Sequence, residues 1–394
     1  MPIRPSRTIP PLPCDFDDRA RASYRPASKP IDDTRENAPT TVTATMNAIN
    51  AMNVATLPTA TQAATGLPLI DRWGRVHRSL RISVTDACNI RCQYCMPAEK
   101  VQFLGRDKLL TVEQIALFVA AVAPLGVCNY RVTGGEPLVR RDVPQLLQAL
   151  RIIPGVQELA LTTNGMLLAD QLPDLVSSGL QRINISLDTL SETTFRTLAR
   201  REGLDRVLQG IDAAIAQAGV EVKLNALVLR DVNLDDIFGL VQFAKERNVP
   251  LRFIEFMPLD AERSWTLSRM VAGDELRKLL SKRFGPLQPL TGVDPSQPSR
   301  DYEFADGGRV GFIDSVSQPF CGNCDRLRIT AEGQIRNCLF GTEEWDIAKL
   351  LRNQAPLSEV QRVVRLAVSA KHPSHGIADP AFQPPERAMY QIGG

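Results

Sequence analysis

A chain of 394 residues, 44% hydrophobic and 23% charged, has the composition of an ordinary globular protein with room for two or three domains. Its formal net charge of +2 gives no global field to attract nucleic acid or a membrane surface, so an anionic ligand would need local arginines and lysines. No run of 18 apolar residues occurs, which leaves no candidate transmembrane helix.

Residues 1–66 stand apart. They hold nine of the 28 prolines, an Ala/Thr-rich run from Pro39 to Thr65 and little that could bury apolar surface, so a disordered extension is expected. It lacks the apolar core of a secretory signal, and Asp15, Asp17 and Asp18 argue against a transit peptide. Met46 and Met52 are alternative starts, and Cys14 has no evident role.

From Leu67 the pattern is regular. Strands are expected at 80–85, 129–133, 158–162, 182–187, 221–229 and 251–256. Helices are expected between them at 111–123, 142–151, 170–178, 191–200, 204–218 and 234–247. Thr111 and Ser191 are good caps, and Asp142 with Pro144 is a normal helix start. Six alternating units imply an α/β fold with a parallel sheet, either open and doubly wound or a partial (β/α)6 barrel. Polar motifs fall at the carboxyl end of each strand: the cysteine loop after the first, Thr133–Pro137, Thr162–Gly165, Ser186–Asp188, Lys223 with Asn225, and Glu255–Pro258. That distribution favours the barrel, whose active sites lie at this face.

Six of the eight cysteines form two tight groups, which is metal-site rather than disulfide usage and implies a reducing compartment. Cys88, Cys92 and Cys95 are spaced C-x3-C-x2-C just past a strand. Three soft thiolates could hold a cubane iron–sulfur cluster with one iron open for a non-protein ligand; zinc is the alternative. C-x3-C-x2-C with Tyr94 before the last cysteine resembles the signature of the radical S-adenosylmethionine (SAM) family. That resemblance implies a six-unit partial barrel, a [4Fe–4S] cluster whose open iron binds SAM, and cofactor contacts by Tyr94, Gly135, Ser186 and Met257. On the residues alone, Gly134-Gly135 reads either as a close approach of backbone to a ligand or as a tight turn of positive φ, Ser186 as a cap and Met257 as core.

Arg81, Arg131 and Lys223 stand on strands that otherwise read as buried, where a charge needs a partner or an anionic ligand. Pairing within the chain, for instance of Lys223 with Glu221, is the competing reading. Arg140-Arg141 is either a rim pair or a solvated helix start.

Beyond Pro258 the rhythm stops, so a C-terminal domain is expected at 259–394 after a barrel at 67–258. Cys321, Cys324 and Cys338 are spaced C-x2-C-x13-C, again three without an evident fourth. Either His372 or His375 completes a zinc site, or the set holds a second open cluster. Arg326 and Arg328 alternate on a strand between these cysteines and point the same way.

With Gly393-Gly394 at the end, the combination resembles the GTP-cyclising family of radical SAM enzymes that opens the molybdopterin (molybdenum cofactor) pathway. The resemblance covers about residues 67–394. It implies two [4Fe–4S] clusters and SAM, with GTP held by Arg81, Arg131, Thr162, Lys223, Arg326, Leu327 and Arg328. It also implies an electron donor such as a flavodoxin or ferredoxin, the next enzyme of the pathway as a partner, a homodimer and a cytoplasmic location. Ala87 departs from that family, whose members usually carry arginine there. The alternatives are a radical SAM maturase acting on a peptide and a non-enzymatic iron–sulfur or zinc protein.

Overall fold

The structure is a computed structural model and describes residues 66–394. The expectations for the N-terminal extension, including Cys14 and the alternative starts, lie outside the described residues.

Six strand–helix units follow one another as expected. They are β1 (Ser79–Ser83), α1 (Val112–Val122), β2 (Asn129–Thr133), α2 (Val143–Arg151), β3 (Glu158–Thr163), α3 (Leu168–Ser177) and β4 (Arg182–Ser186). Two helices, α4 (Glu192–Ala199) and α5 (Leu204–Ala216), precede β5 (Glu221–Val228), and α6 (Ile237–Glu246) leads to β6 (Leu251–Glu255). All five contacts from β1 to β6 are parallel and between consecutive strands. This is the barrel order rather than the reversed order of a doubly wound sheet.

Local chemistry sets the helix entries. Thr111 accepts from the Gln114 amide and the Gln114 side chain returns the bond, a complete capping box. Ser191 caps α4 through the Thr194 amide at 3.3 Å. Asp142 makes no cap bond. Its carboxylate instead takes Arg140 Nε at 2.5 Å and Nη2 at 3.0 Å. Arg140 also donates to the Val84 and Leu110 carbonyls, so it braces two loops, while Arg141 is exposed.

The strands alternate apolar outward and polar inward. Leu80, Ile82, Tyr130, Val132, Leu161 and Ile183 are buried against the helices, whose Ile115, Phe118, Leu147, Leu172 and Val207 complete the core. The inward positions are polar. Arg81 is level with Arg131 and Arg328, while Asn184 is level with Thr162 and Lys223.

The expected boundary at 258/259 falls in a loop, yet the sheet continues across it. After α7 (Gly273–Phe284) come β7 (Gln288–Pro289), β8 (Arg300–Glu303) and β9 (Arg309–Ile313), and β9 lies parallel on β6. Next, β10 (Arg326–Ile329) lies parallel on β1 and begins a hairpin with β11 (Gln334–Arg336) and β12 (Trp345–Asp346). The result is one 12-stranded sheet with two free ends, a partial barrel lengthened at both edges by C-terminal strands. Helices α8 (Ala348–Arg352) and α9 (Leu357–Ser369) then return, with α9 packing on α1.

Candidate active site

The inward faces enclose a cavity of about 260 Å³ at the carboxyl ends of the strands. Cys88, Cys92 and Cys95 open onto it from the loop after β1, together with Tyr94, Gly135, Ser186 and Met257. Arg81, Thr162, Arg326 and Arg328 line it as well.

The cysteine loop is shaped by its neighbours. Gly135 donates to the Thr85 carbonyl at 2.7 Å, and Glu136 to the Ala87 carbonyl at 2.8 Å. A Cβ on Gly135 would lie 2.4 Å from the Ala87 oxygen and 2.5 Å from the Asp86 oxygen. Its φ is not positive. The glycine is therefore required by close approach, here of two backbones, and not by a turn of positive φ. The Ala87 amide donates to Thr85 Oγ1 at 3.1 Å and its carbonyl accepts from the Glu136 amide at 2.8 Å.

Burial is the main influence on the three thiols. It pushes Cys88 up to about 11 and raises Cys92 and Cys95 further. The nearby carboxylates of Glu136, Asp188 and Asp260 add to this. Such thiols become thiolates when a metal centre supplies the positive charge, as an iron–sulfur cluster would. Glu136 accepts from Leu138, Thr163 and Asn164, yet burial lifts its carboxyl to about 7. Tyr94 donates to Asp188 at 2.5 Å, and Asp188 also accepts from the Leu227 amide at 2.8 Å; burial lifts it to about 6.

At the other end of the cavity the charge reverses. Burial holds Arg81 well below the ordinary guanidinium range, and Arg328, Arg326 and Arg131 push it the same way. Arg328 is held down to about 9 by burial and then by Arg326. Guanidinium groups stay protonated at neutral pH, so these shifts reflect first the cost of burying the charges and then their mutual repulsion, both of which a polyanion would offset. The Arg81 side chain has no hydrogen-bond partner among the described residues, although its main chain lies in the sheet between β2 and β10. Arg326 lies over the Phe320 ring at 4.4 Å and its Nη2 is 3.6 Å from Cys324 Sγ. Arg328 donates to the Gly393 carbonyl, and Thr133 Oγ1 donates to the Gly394 oxygen at 2.9 Å, so the glycine pair sits inside the barrel.

Three of the expected cavity residues do not line it. Lys223 pairs with Glu221 at 2.7 Å, the intrachain partner the sequence allowed. Arg131 donates to the Leu161 carbonyl at 3.3 Å and is held down to about 10 by burial and by Arg182. Leu327 is 2% exposed, in the core opposite Leu80, so only its main chain is available to a ligand. Conversely, Arg252 lines the cavity without a motif to announce it. It is buried on β6 and paired with Asp301 at 3.0 Å. A lone charge in the apolar run Leu251–Ile254 was the available signal.

Cys321, Cys324 and Cys338 lie around the base of β10 and are near enough to influence one another. Burial raises the Cys324 thiol, but Arg326 and Lys371 more than offset it and bring it to about 7. His375 does not complete a Cys3His zinc site here. Its Nε2 meets the Ser315 carbonyl at 3.0 Å and its Nδ1 accepts from the Ile377 amide at 3.1 Å. His372 is exposed. Among the described residues, no three His, Cys, Asp or Glu side chains are grouped as ligands of a single metal ion.

Residues 82–244 match the family model of the Radical SAM superfamily, and residues 249–377 match that of Molybdenum Cofactor Synthesis C. Fold and site together are those of a radical SAM enzyme. A similar solved structure, Streptococcus suis SuiB bound to S-adenosylmethionine, gives a TM-score of 0.50 at 16% identity over 84% of this chain and 75% of its own, a likeness of fold. Among curated proteins, the GTP 3′,8-cyclase of Rhodopirellula baltica is 48% identical over 83% of this chain and 92% of its own length. That of Paenarthrobacter nicotinovorans is 42% identical over 86% of this chain and 100% of its own. The chain belongs to the GTP 3′,8-cyclase family.

Proposed function

We propose that the chain converts GTP to (8S)-3′,8-cyclo-7,8-dihydroguanosine 5′-triphosphate, the first step of molybdopterin biosynthesis. The observation that carries this reading is a single cavity lined at one end by Cys88, Cys92 and Cys95 and at the other by Arg81, Arg326 and Arg328. The family relationship supplies the reaction.

In this reading Cys88, Cys92 and Cys95 hold one [4Fe–4S] cluster, and Cys321, Cys324 and Cys338 hold a second. The donor chemistry fits, since three thiolates leave an iron open at each centre. When bound, the first cluster and SAM supply the radical that removes hydrogen from the substrate. The protein positions and shields. Tyr94, Gly135, Ser186 and Met257 enclose SAM, with Tyr94 fixed by its bond to Asp188. Arg81, Arg326 and Arg328 take the triphosphate and base, because arginine forks match phosphate oxygens. Thr162 adds a hydroxyl nearer the carboxyl ends of the strands, Arg131 (level with Arg81) and Lys223 add positive charge without lining the cavity, and Leu327 acts through its main chain. Holding ribose and radical source together in one cavity supplies the entropic part of catalysis.

Residues 67–258 form the SAM-binding unit and 259–394 the unit that completes the substrate site. A flavodoxin or ferredoxin delivers the electron, the next pathway enzyme takes the product, and a cytoplasmic homodimer is the working form. None of the described helices is long and apolar enough to cross a membrane.

The test is anaerobic. Reconstituted protein is given SAM and a strong reductant with or without GTP, and 5′-deoxyadenosine and GTP are quantified. The expected result is 5′-deoxyadenosine formation that depends on GTP, with matching GTP loss to a cyclised product. Cleavage of SAM indifferent to GTP would refute the substrate assignment.

A further inference from the structure

Beside the second cysteine set lies a buried polar brace. Lys371 is 5% exposed; its Nζ lies 3.5 Å from Cys324 Sγ and donates to the Arg326 carbonyl at 2.8 Å. The segment just before β1 holds this lysine's own chain in place. Trp73 Nε1 donates to the Lys371 carbonyl at 3.0 Å. Arg75 donates to the carbonyls of Cys321 at 2.7 Å, His372 at 2.7 Å and Pro373 at 3.2 Å. Asp71 fixes Arg75 through Nε at 2.6 Å and accepts from the Trp73 and Arg75 amides at 2.9 and 3.0 Å.

Two features distinguish this from ordinary packing. Burying an ammonium group is expensive unless a negative partner meets it, and no carboxylate is bonded to Lys371 among the described residues. Its only sulfur contact is a cluster cysteine, so a thiolate is the partner its burial calls for. Among the described residues no lysine is bonded to a thiol of the first cysteine set; its charged neighbours are Glu136, Asp188 and Asp260, together with Arg91, which donates to the Cys88 carbonyl at 2.7 Å. The second set therefore has an ammonium group directly against one of its thiols, a contact without a counterpart at the first among the described residues.

We propose that Lys371, anchored by the Asp71–Trp73–Arg75 brace, is a positioning residue that holds a fixed positive charge against Cys324 and raises the reduction potential of the second cluster. The proposal rests on the reading that Cys321, Cys324 and Cys338 hold such a cluster. A nearby cation favours the more negative, reduced form of a cluster, so removing the charge must lower the potential.

The test uses the full chain with Cys88, Cys92 and Cys95 replaced by alanine, so that only the second centre remains. Iron content and an anaerobic redox titration followed by electron paramagnetic resonance are compared for Lys371, Lys371→Met and Lys371→Arg in that background. The expected result is iron in all three, a more negative potential for Lys371→Met and its recovery in Lys371→Arg. If Lys371→Met fails to take up iron, recovery of iron by Lys371→Arg supports the charge, and failure of both overturns it. An unshifted potential in an iron-loaded Lys371→Met protein also overturns it. Absence of iron from the background itself would overturn the second-cluster reading, and the proposal with it, a result distinct from a cluster whose potential ignores Lys371.

Discussion

Replacing Gly135 by alanine tests whether the cysteine loop depends on a backbone approach that no side chain permits. The added Cβ would meet the Ala87 oxygen at 2.4 Å and the Asp86 oxygen at 2.5 Å, both main-chain atoms that cannot rotate away. Relief requires the two segments to part, which strains or breaks the bonds from Gly135 to Thr85 and from Glu136 to Ala87. Overpacking of this kind costs about 1–3 kcal/mol. Each weakened main-chain bond adds up to about 1 kcal/mol. The expected loss is thus roughly 2–4 kcal/mol in urea unfolding of the metal-free protein, with reduced iron uptake at the first centre. Gly239→Ala in α6 is the control, since its Cβ meets nothing nearer than Leu190 Cδ1 at 3.9 Å. It should be neutral or stabilising by up to about 1 kcal/mol. A Gly135→Ala protein as stable as the parent, with full iron, would refute the close-approach argument.

Arg81→Met should separate stability from function. Removing one of several mutually repelling buried guanidinium groups should raise the melting temperature of the metal-free protein, while KM for GTP rises at least about tenfold; a fall in both would contradict the repulsion reading. Leu327→Ala should destabilise by roughly 2–5 kcal/mol as a core cavity yet leave KM for GTP unchanged, checked by urea unfolding beside steady-state kinetics. Burial, helped by the charge of Lys371, holds His77 down at about 4 from an ordinary 6.5. Its contribution to stability is complete above pH 6.5 and is lost as pH falls toward 4, by about 3 kcal/mol at the acid end. Urea midpoints of His77→Gln should therefore fall less steeply than those of the parent across that window, and parallel curves would exclude the assignment.

What the amino-acid sequence determined by itself is whatever depends on near neighbours along the chain. Period-two and period-3.6 patterning placed six strands and their helices, and Thr111 and Ser191 announced helix starts that their side chains do cap. The three-cysteine spacing likewise singled out the loop after β1, whose cysteines all open onto the cavity because they share one short loop. Tertiary structure decided every question of partner. Lys223 faces Glu221 rather than the cavity, and Arg140 braces two loops rather than standing at a rim. Leu327 turns into the core while Arg326 and Arg328 turn inward, an alternation given physical meaning only when β10 lies beside β1. That pairing joins residues nearly 250 positions apart, as does the contact of Arg75 with Cys321. Such contacts depend on which apolar faces are buried together, a property of the whole chain that no local window of residue types contains.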